Sequence, residues 1–339
     1  MDVASWQARV GQRVVVRRRL ADGRLGDVLG ELTEVDTHLH VRTRTGAVTV
    51  PLTSVVAGKV VPPRPVRRGP AHRVTSITDL QAVMSLHWRP EISERHGGWL
   101  LRASGGFTGR ANSVLPLGDP RDGDVEAGLA QVVAWYAGHG LPPKASIAGR
   151  ADGGVPGGVG PAGPLRAACE AAGWRIVPGG SALVMTALTA ELRAPATGGS
   201  GAPAGLTLDV ADTPDEQWLA TYRYRGQPLS PHALPLLLSA PSQAFFSLRD
   251  DGATVAVARG SLGGGWAGLT AVEVAAGYRR RGLARALLGA VAQWAYPGGA
   301  TSTYLQVGDT NEAAVALYTA AGFAVHHRYD YWQAPLPPP

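Results

Sequence analysis

The chain has 339 residues, with 32 Lys+Arg against 26 Asp+Glu, nine His, one Cys, 45 Gly and 26 Pro. At roughly 100–200 residues per domain this length implies two or three domains, and a hydrophobic fraction of 45% argues against global disorder. The lone Cys169 excludes an intramolecular disulfide framework and a Cys-based structural zinc site, and no stretch of 18 or more apolar residues is present to span a membrane.

The charge is unevenly placed. Residues 1–70 carry 12 Lys+Arg and six Asp+Glu, whereas 71–339 carry 20 of each, so the formal surplus of +6 belongs to the front of the chain. MDVASWQARVGQRVVVRRRL lacks the basic, apolar, small-residue order of a secretion signal, and a cytoplasmic location is expected. From residue 10 to about 61, VGQRVVVRRRL, LGDVLGELTEVD, THLHVRTRTG and AVTVPLTSVVAG read as short strands separated by turn signals. In the third, Leu39, Val41 and Thr43 alternate with His40, Arg42 and Arg44, the period of a half-buried strand. These segments predict a small all-β, SH3-like barrel over 1–65. Clustered Arg invites a nucleic-acid reading. The segment has one Trp and no Phe or Tyr for base stacking, however, so docking to an acidic partner or plain solvation is preferred.

PPRPVRRGP leads into a linker, 66–72, because closely spaced prolines favour extended chain. Over 73–195, SITDLQAVMSLHW predicts a helix capped by Ser76 with Asp79 three residues on. WLLRASGG and RANSVLPLG predict a hairpin. DVEAGLAQVVAWYAGHG predicts an amphipathic helix with Leu129, Val132, Val133 and Tyr136 on one face and Gly138 and Gly140 as stop signals. GRADGGVPGGVGPAGP (149–164) is too rich in Gly and Pro to order by itself. LRAACEAAGWRIV reads as a helix running into a strand and SALVMTALTAEL as another strand; a second linker follows at 196–205.

The last region, 206–339, has the clearest order. LTLDVA is a strand, TPDEQWLATYRYRG a helix with Thr213 at its cap and Pro214 at its first position, and SPHALPLLLSA a shorter helix interrupted by Pro235. AFFSLRDDGATVAVARGSL is a hairpin turned by Asp251 and Gly252. WAGLTAVEV, LARALLGAVAQWA, STYLQVGD, NEAAVALYTAAGF and AVHHRYDYW follow as strand, helix, strand, helix and a final strand or pair. Strands and helices in this order predict an α/β domain around one mixed sheet.

The chemistry concentrates at one turn. After Val272, Glu273 and Val274 the chain passes through Tyr278, Arg279, Arg280 and Arg281 and enters a helix at about Gly282, followed by Leu283, Ala284 and Arg285. A helix N-terminus offers unpaired N–H groups and partial positive charge to a phosphate. Gly282 and Ala284 remove bulk there, and the arginines add cation. Leu283, Leu287, Ala290, Val291 and Trp294 form the stripe that seats the helix on a sheet. Taken alone, the same pattern is also that of a solvated basic turn.

About thirty residues on lies NEAAVALYTAAGF, and together the two motifs resemble the GCN5-related N-acetyltransferase (GNAT) family. Arg279-x-x-Gly282-x-Ala284 is similar to its acyl-CoA pyrophosphate loop. Asn311, Ala314, Leu317, Tyr318, Gly322 and Phe323 are similar to its later Asn/Tyr motif, in the right order and separation over 206–335. The resemblance implies the α+β GNAT fold, a mixed sheet with helices on both faces. It also implies acetyl-CoA as cofactor and transfer of acetyl to an amine by direct attack on the thioester. It implies that two parallel strands, here 272–274 and 304–307, splay apart around the pantetheine arm, held by the backbone of Val272 and Val274 and by Asn311. Arg279, Arg280, Arg281, Gly282, Leu283, Ala284 and Arg285 would hold the pyrophosphate. Tyr318 takes the position of the general acid that protonates the departing thiol.

Glu273 is the only carboxylate on that strand, and its side chain should point opposite to Val272 and Val274. A role as base and a structural role are both open, and an acceptor arriving as free amine needs neither. His326 and His327 belong either to the acceptor end or to structural contacts. No paired His at ligand spacing and no acidic cluster points to a metal. The middle region has no Arg/Gln-x-x-Gly-x-Gly/Ala loop, yet its AACEAAGWRI parallels ALYTAAGFAV, so 73–195 reads as a degenerate GNAT-like half in tandem with the catalytic half. Arg102, Arg110 and Asn112 either face the acceptor channel or brace the hairpin. Barrel, degenerate half and catalytic half in this order resemble an actinobacterial acetyltransferase group. The expected partner is an amine acceptor, a small molecule or a protein amine. The alternative is a non-catalytic acyl-CoA-binding or nucleic-acid-associated module.

Overall fold

In the computed structural model, which describes residues 3–7, 9–10, 12–20, 23–43, 46–61, 70–150, 162–193, 202–223 and 226–335, the chain forms two units, 1–68 and 69–339. In the first, α1 (Val3–Gln7) precedes β1 (Arg13–Arg19), β2 (Leu25–Val35), β3 (His38–Thr43), β4 (Gly46–Pro51) and β5 (Val55–Val60). The strands pair antiparallel in the order β4-β3-β2-β1-β5. Alternation sets the core: Val14, Val16, Leu32, Leu39, Val41 and Val50 are buried with Trp6. Outward arginines meet acids across the ladder, Arg17 with Asp27 at 2.9 Å and Arg42 with Glu31 at 2.8 Å. These two arginines are therefore paired within the sheet, and the front surplus of six is left unchanged.

The second unit opens with α2 (Ala71–Val74), α3 (Ile77–His87), β6 (Ile92–His96), β7 (Trp99–Ala103), β8 (Leu115–Pro116), α4 (Val125–Gly138), β9 (Lys144–Gly149), α5 (Ala162–Ala171) and β10 (Arg175–Leu188). It continues with α6 (Thr189–Leu192), β11 (Thr207–Ala211), α7 (Glu216–Thr221), α8 (Ala233–Leu237), β12 (Ser242–Asp250), β13 (Ala253–Gly263) and β14 (Trp266–Val274). It ends with α9 (Leu283–Ala295), β15 (Ser302–Gly308), α10 (Glu312–Ala320) and β16 (Ala324–Gln333). Eight strands form one sheet in the order β11-β12-β13-β14-β15-β10-β16-β9. A three-stranded sheet β6-β7-β8 reaches it through a parallel bridge between Val114 and Ala145.

This order contains a repeat. The run β8, α4, β9, α5, β10 has the same sequence of elements as β14, α9, β15, α10, β16, and each run starts from a parallel contact. The two runs exchange their last strands: β10 lies between β15 and β16, and β16 lies between β10 and β9. Residues on either side of the 196–205 segment thus share one sheet. The repeat is unequal at its helix starts. Asp124 caps α4, its Oδ1 accepting from the Ala127 N–H at 2.9 Å, so a carboxylate occupies the helix end where a phosphate would sit.

Several local expectations change. The hairpin partner of β7 is β6 along its whole length, and RANSVLPLG contributes only the two residues of β8. Val133 faces solvent while Leu129, Val132 and Tyr136 are buried. The cap of α7 is Asp215, whose Oδ1 accepts from the Trp218 N–H at 2.7 Å, not Thr213. A carboxylate at this position is a stronger acceptor than a hydroxyl. Pro235 lies in the first turn of α8, where its missing N–H costs nothing, so it does not interrupt that helix. The two strands expected over 174–192 are the single β10, whose pairing with β16 slips between Ile176 and Ser181. The final segment is likewise one strand. Residues 62–69, 151–161 and 194–201 of the Pro- and Gly-rich segments lie outside the described residues.

Candidate active site

The parallel ladder between β14 and β15 is short. It runs from Trp266 opposite Ser302 to Leu269 opposite Leu305 and stops. Two residues on, Ala271 has φ 53°, and the pairing of β14 with β13 slips between Val257 and Arg259. A bulge of this kind bends the strand. Beyond it Glu273 and Val274 remain paired to β13, while Gln306, Val307 and Gly308 remain paired to β10. Each strand is held by its outer neighbour, and a gap opens between them with backbone groups of 272–274 along one side. Arg279 reaches into this region, its Nε donating to the Val274 carbonyl at 3.1 Å and its Nη2 lying 3.4 Å from Glu273 Oε1.

The turn that follows ends at an uncapped helix. Gly282, the N-cap of α9, has φ 79° and no side chain caps its first N–H groups. A Cβ there would meet nothing within 4 Å, so glycine is required by backbone conformation and the space in front of the helix is open. Arg280 also has positive φ, 61°. Leu283, Leu287 and Val291 seat the helix as expected, joined by Leu288, Ala292 and Ala295, whereas Ala290 and Trp294 are only partly buried. Arg281 lies over the Tyr278 ring at 4.9 Å, and Arg285 donates to the Ala320 carbonyl at 3.1 Å. Uncapped N–H groups, open space and these cations fit a pyrophosphate.

Tyr318 is buried in the apolar cluster that includes Leu305 and Val307 and touches Val272 and Val274, and so lies where the two strands part. Burial and then the Glu273 carboxylate push its hydroxyl up to about 12, keeping it protonated at neutral pH. Burial also raises Glu273, against the opposing pull of Arg279. Asn311 caps α10, its Oδ1 accepting from the Ala314 N–H at 3.1 Å, which leaves its amide N–H groups for other contacts. Among the described residues no group of three or more His, Cys, Asp or Glu is placed to hold a metal, and no helix is long and apolar enough to cross a membrane.

Side chains of β15 alternate across the sheet. Leu305 and Val307 lie under α9, and Tyr304 packs with Leu80 and Met84 of α3 on the other face. On that second face a cavity of about 290 Å³, open mouth included, is lined by Gln81, Trp88, Arg102, Arg110, Gln306 and Tyr331, among others. Arg102 is buried, with Nε and Nη2 donating to the Ser113 carbonyl and Oγ at 2.9 and 2.8 Å. Arg110 lies 4.6 Å over the Trp88 ring. Asn112 instead ties the 104–108 loop, accepting from the Ser104 and Gly106 N–H groups and donating to the Phe107 and Thr108 carbonyls. His326 and His327 form a hydrogen-bonded chain to α3 and its approach, a structural role. Trp88, Arg259 and Gln306 were not singled out from sequence, because strand and helix periodicity gives no mark of a cavity.

A family model described as "Probable histone acetyltransferase Rv0428c C-terminal" matches residues 75–332. The chain belongs to this family of GNAT-type acetyltransferases. A second model, "Rv0428c N-terminal Sm-like domain", matches residues 8–59, so the front unit is Sm-like, close to the SH3-like expectation. The Mycobacterium tuberculosis protein named "Probable histone acetyltransferase Rv0428c" is 30% identical over 98% of this chain and 97% of its own length. The Bacillus subtilis "Uncharacterized N-acetyltransferase YobR" is 25% identical over 75% of this chain and 97% of its own. Two solved structures share the fold at 18% identity. A GCN5-related N-acetyltransferase from Kribbella flavida has a TM-score of 0.56 over 78% of this chain and 97% of that one. A tandem GNAT protein from the clavulanic acid biosynthesis pathway has a TM-score of 0.54 over 80% and 92%. The mixed α/β GNAT fold in tandem and the class of N-acetyltransferase are both borne out.

Proposed function

We propose that this acetyltransferase uses acetyl-CoA, with its thioester in the gap beyond the last β14–β15 pair, and acetylates an amine. The carrying observation is that the parallel ladder ends at Leu269 and Leu305 beside an uncapped helix N-terminus with Arg279, Arg280, Arg281 and Arg285 around it. The first N–H groups of α9, at Leu283, Ala284 and Arg285, and these arginines hold the pyrophosphate. Arg279 exchanges the Val274 carbonyl for a phosphate oxygen, which frees that carbonyl, with the backbone of Val272, for the pantetheine amides. The Asn311 amide donates to the same arm.

Acetyl transfer then needs two proton movements. The amine lone pair attacks the thioester carbonyl carbon, the C–N bond forms as the C–S bond breaks, and the departing sulfur takes the Tyr318 hydroxyl proton. Glu273, raised by burial, takes the proton lost by the amine nitrogen, directly or through water. The mycobacterial relative is named for histone acetylation, so a basic peptide belongs beside small amines in the test. The protein with acetyl-CoA and such a panel should yield an acetylated product by mass, with equal thiol release. Acetyl-CoA binding without product from any amine would leave the acyl-CoA-binding alternative instead.

A further inference from the structure

Two arginines in the second unit are almost wholly enclosed. Arg259 is 0% exposed and Arg102 4% exposed, and among the described residues neither makes an ion pair. The Arg259 donors go to the Leu237 and His87 carbonyls and to Thr270 Oγ1. Arg102 gives Nε and Nη2 to Ser113, and its Nη1 makes no hydrogen bond with described residues although the side chain lines the cavity. Burying a charge without a countercharge is costly, and neutral acceptors compensate only in part.

A third cation concentrates the charge. Trp88 has Arg110 at 4.6 Å and Arg259 at 5.3 Å from its ring, and the Arg110 charge acts against both buried guanidiniums. No acidic side chain among the described residues lines the cavity. Its wall includes Gln306, the residue after the last parallel pair, so the positive cavity adjoins the gap on the face opposite α9. Gln306 is held in place by the Tyr329 hydroxyl, which donates to its Oε1 at 2.7 Å.

We propose that the acceptor amine carries an anionic group, a carboxylate or a phosphate, that docks on Arg102 Nη1 and Arg110 in this cavity. The inference rests on the acetyl-transfer reading above and narrows its acceptor. A half-open space with fixed positive charge and no acidic lining favours an anion and disfavours a second cation. A lysine-rich tail would bring like charge to Arg102 and Arg110.

The test compares matched acceptors in the full-length protein with acetyl-CoA: free amino acids against their amides, phosphate-bearing amines against the alcohols, and a lysine-rich peptide. Acidic members are expected to exceed their neutral partners by about 10- to 100-fold in kcat/KM. The carboxylate and phosphate arms show which anion is preferred. Arg110→Gln should raise the KM for the acidic acceptor by about the same factor, with the acetyl-CoA dissociation constant unchanged. Arg110→Lys should restore part of the loss, which a purely structural role would not predict. Arg102→Lys, at the buried position, should also raise KM, and Arg110 keeps the test open if that variant fails to fold. Equal rates for acidic and neutral partners, preference for the lysine-rich peptide, or an Arg110→Gln enzyme with unchanged KM would overturn the inference while leaving acetyl transfer intact. Acetyl-CoA binding with no transfer to any member would instead overturn the acetyl-transfer reading, and this inference with it.

Discussion

The Gln81 amide nitrogen lies 2.8 Å from His327 Nε2, joining α3 to β16 across 246 residues of sequence. The chain extends through His327 Nδ1 to His326 Nδ1 at 2.8 Å, and from His326 Nε2 to the Thr75 carbonyl at 2.9 Å. A carbonyl only accepts, so His326 carries its proton on Nε2 and its Nδ1 accepts from His327 Nδ1–H. His327 Nε2 is then left to accept from Gln81. Every link is satisfied with both imidazoles neutral. Gln81 also lines the cavity, so this chain braces one of its walls.

Acid should therefore loosen the second unit. Burial holds His327 down to about 3 and His87 down to about 4. In the unfolded chain both titrate near 6.5. Between these values the unfolded state binds more protons, so their contribution is complete above about 6.5 and is lost as pH falls towards 4 and then 3. Denaturant unfolding should show stability falling below pH 6.5, by up to about 1.4 kcal/mol per pH unit for each histidine. His327→Gln should flatten that slope. A flat profile from pH 7.5 to 5 would contradict the neutral chain.

Gly282→Glu tests the phosphate site. The new carboxylate would stand at the open N-terminus of α9, and acetyl-CoA affinity measured by calorimetry should fall at least about tenfold. Gly282→Ala separates charge from the cost of positive φ, which is roughly 1–2 kcal/mol for a residue with a Cβ. Affinity unchanged by the Glu substitution would remove the loop assignment.

Tyr318→Phe keeps the ring that packs against Phe323 at 6.0 Å and removes only the hydroxyl. Turnover should drop by about 10²- to 10⁴-fold, the usual range for a lost general acid. Acetyl-CoA binding should be little changed. A variant that turns over as fast as the parent would take the proton-donor role away from Tyr318.

A chain of residues 70–339 should bind acetyl-CoA as the full-length protein does. All the groups assigned to the cofactor lie in the second unit, and the front unit has its own core around Trp6 and Leu39. Equal dissociation constants by calorimetry are the expected result. A large loss of affinity would give the Sm-like unit a part in the cofactor site.

What could be read along the chain is what a few consecutive residues control. The helix start at about Gly282, the Ser76 cap and most of the apolar stripe of α9 were legible, because a cap and a 3.6-residue period are local properties, whereas the positive φ of Gly282 and the capping role of Asn311 came only with the structure. Local signals could also compete: Asp215 took a cap expected for Thr213 two residues earlier.

The exchange of β10 and β16 was not legible, since Ser181 meets Asp330, 149 positions further along the chain, only once the intervening segments have folded around it. Nor was the cationic cavity. In ATVAVARGSLG the alternation marks a strand, and an arginine there reads as outward-facing. The sheet is covered on both faces, so Arg259 is sealed instead, within reach of Trp88 and Arg110 from the middle of the chain. Helix ends and turns follow from steric and hydrogen-bond rules within a window of neighbours. Which charges share a low-dielectric space follows from strand order, and only the folded sheet brings those distant segments together.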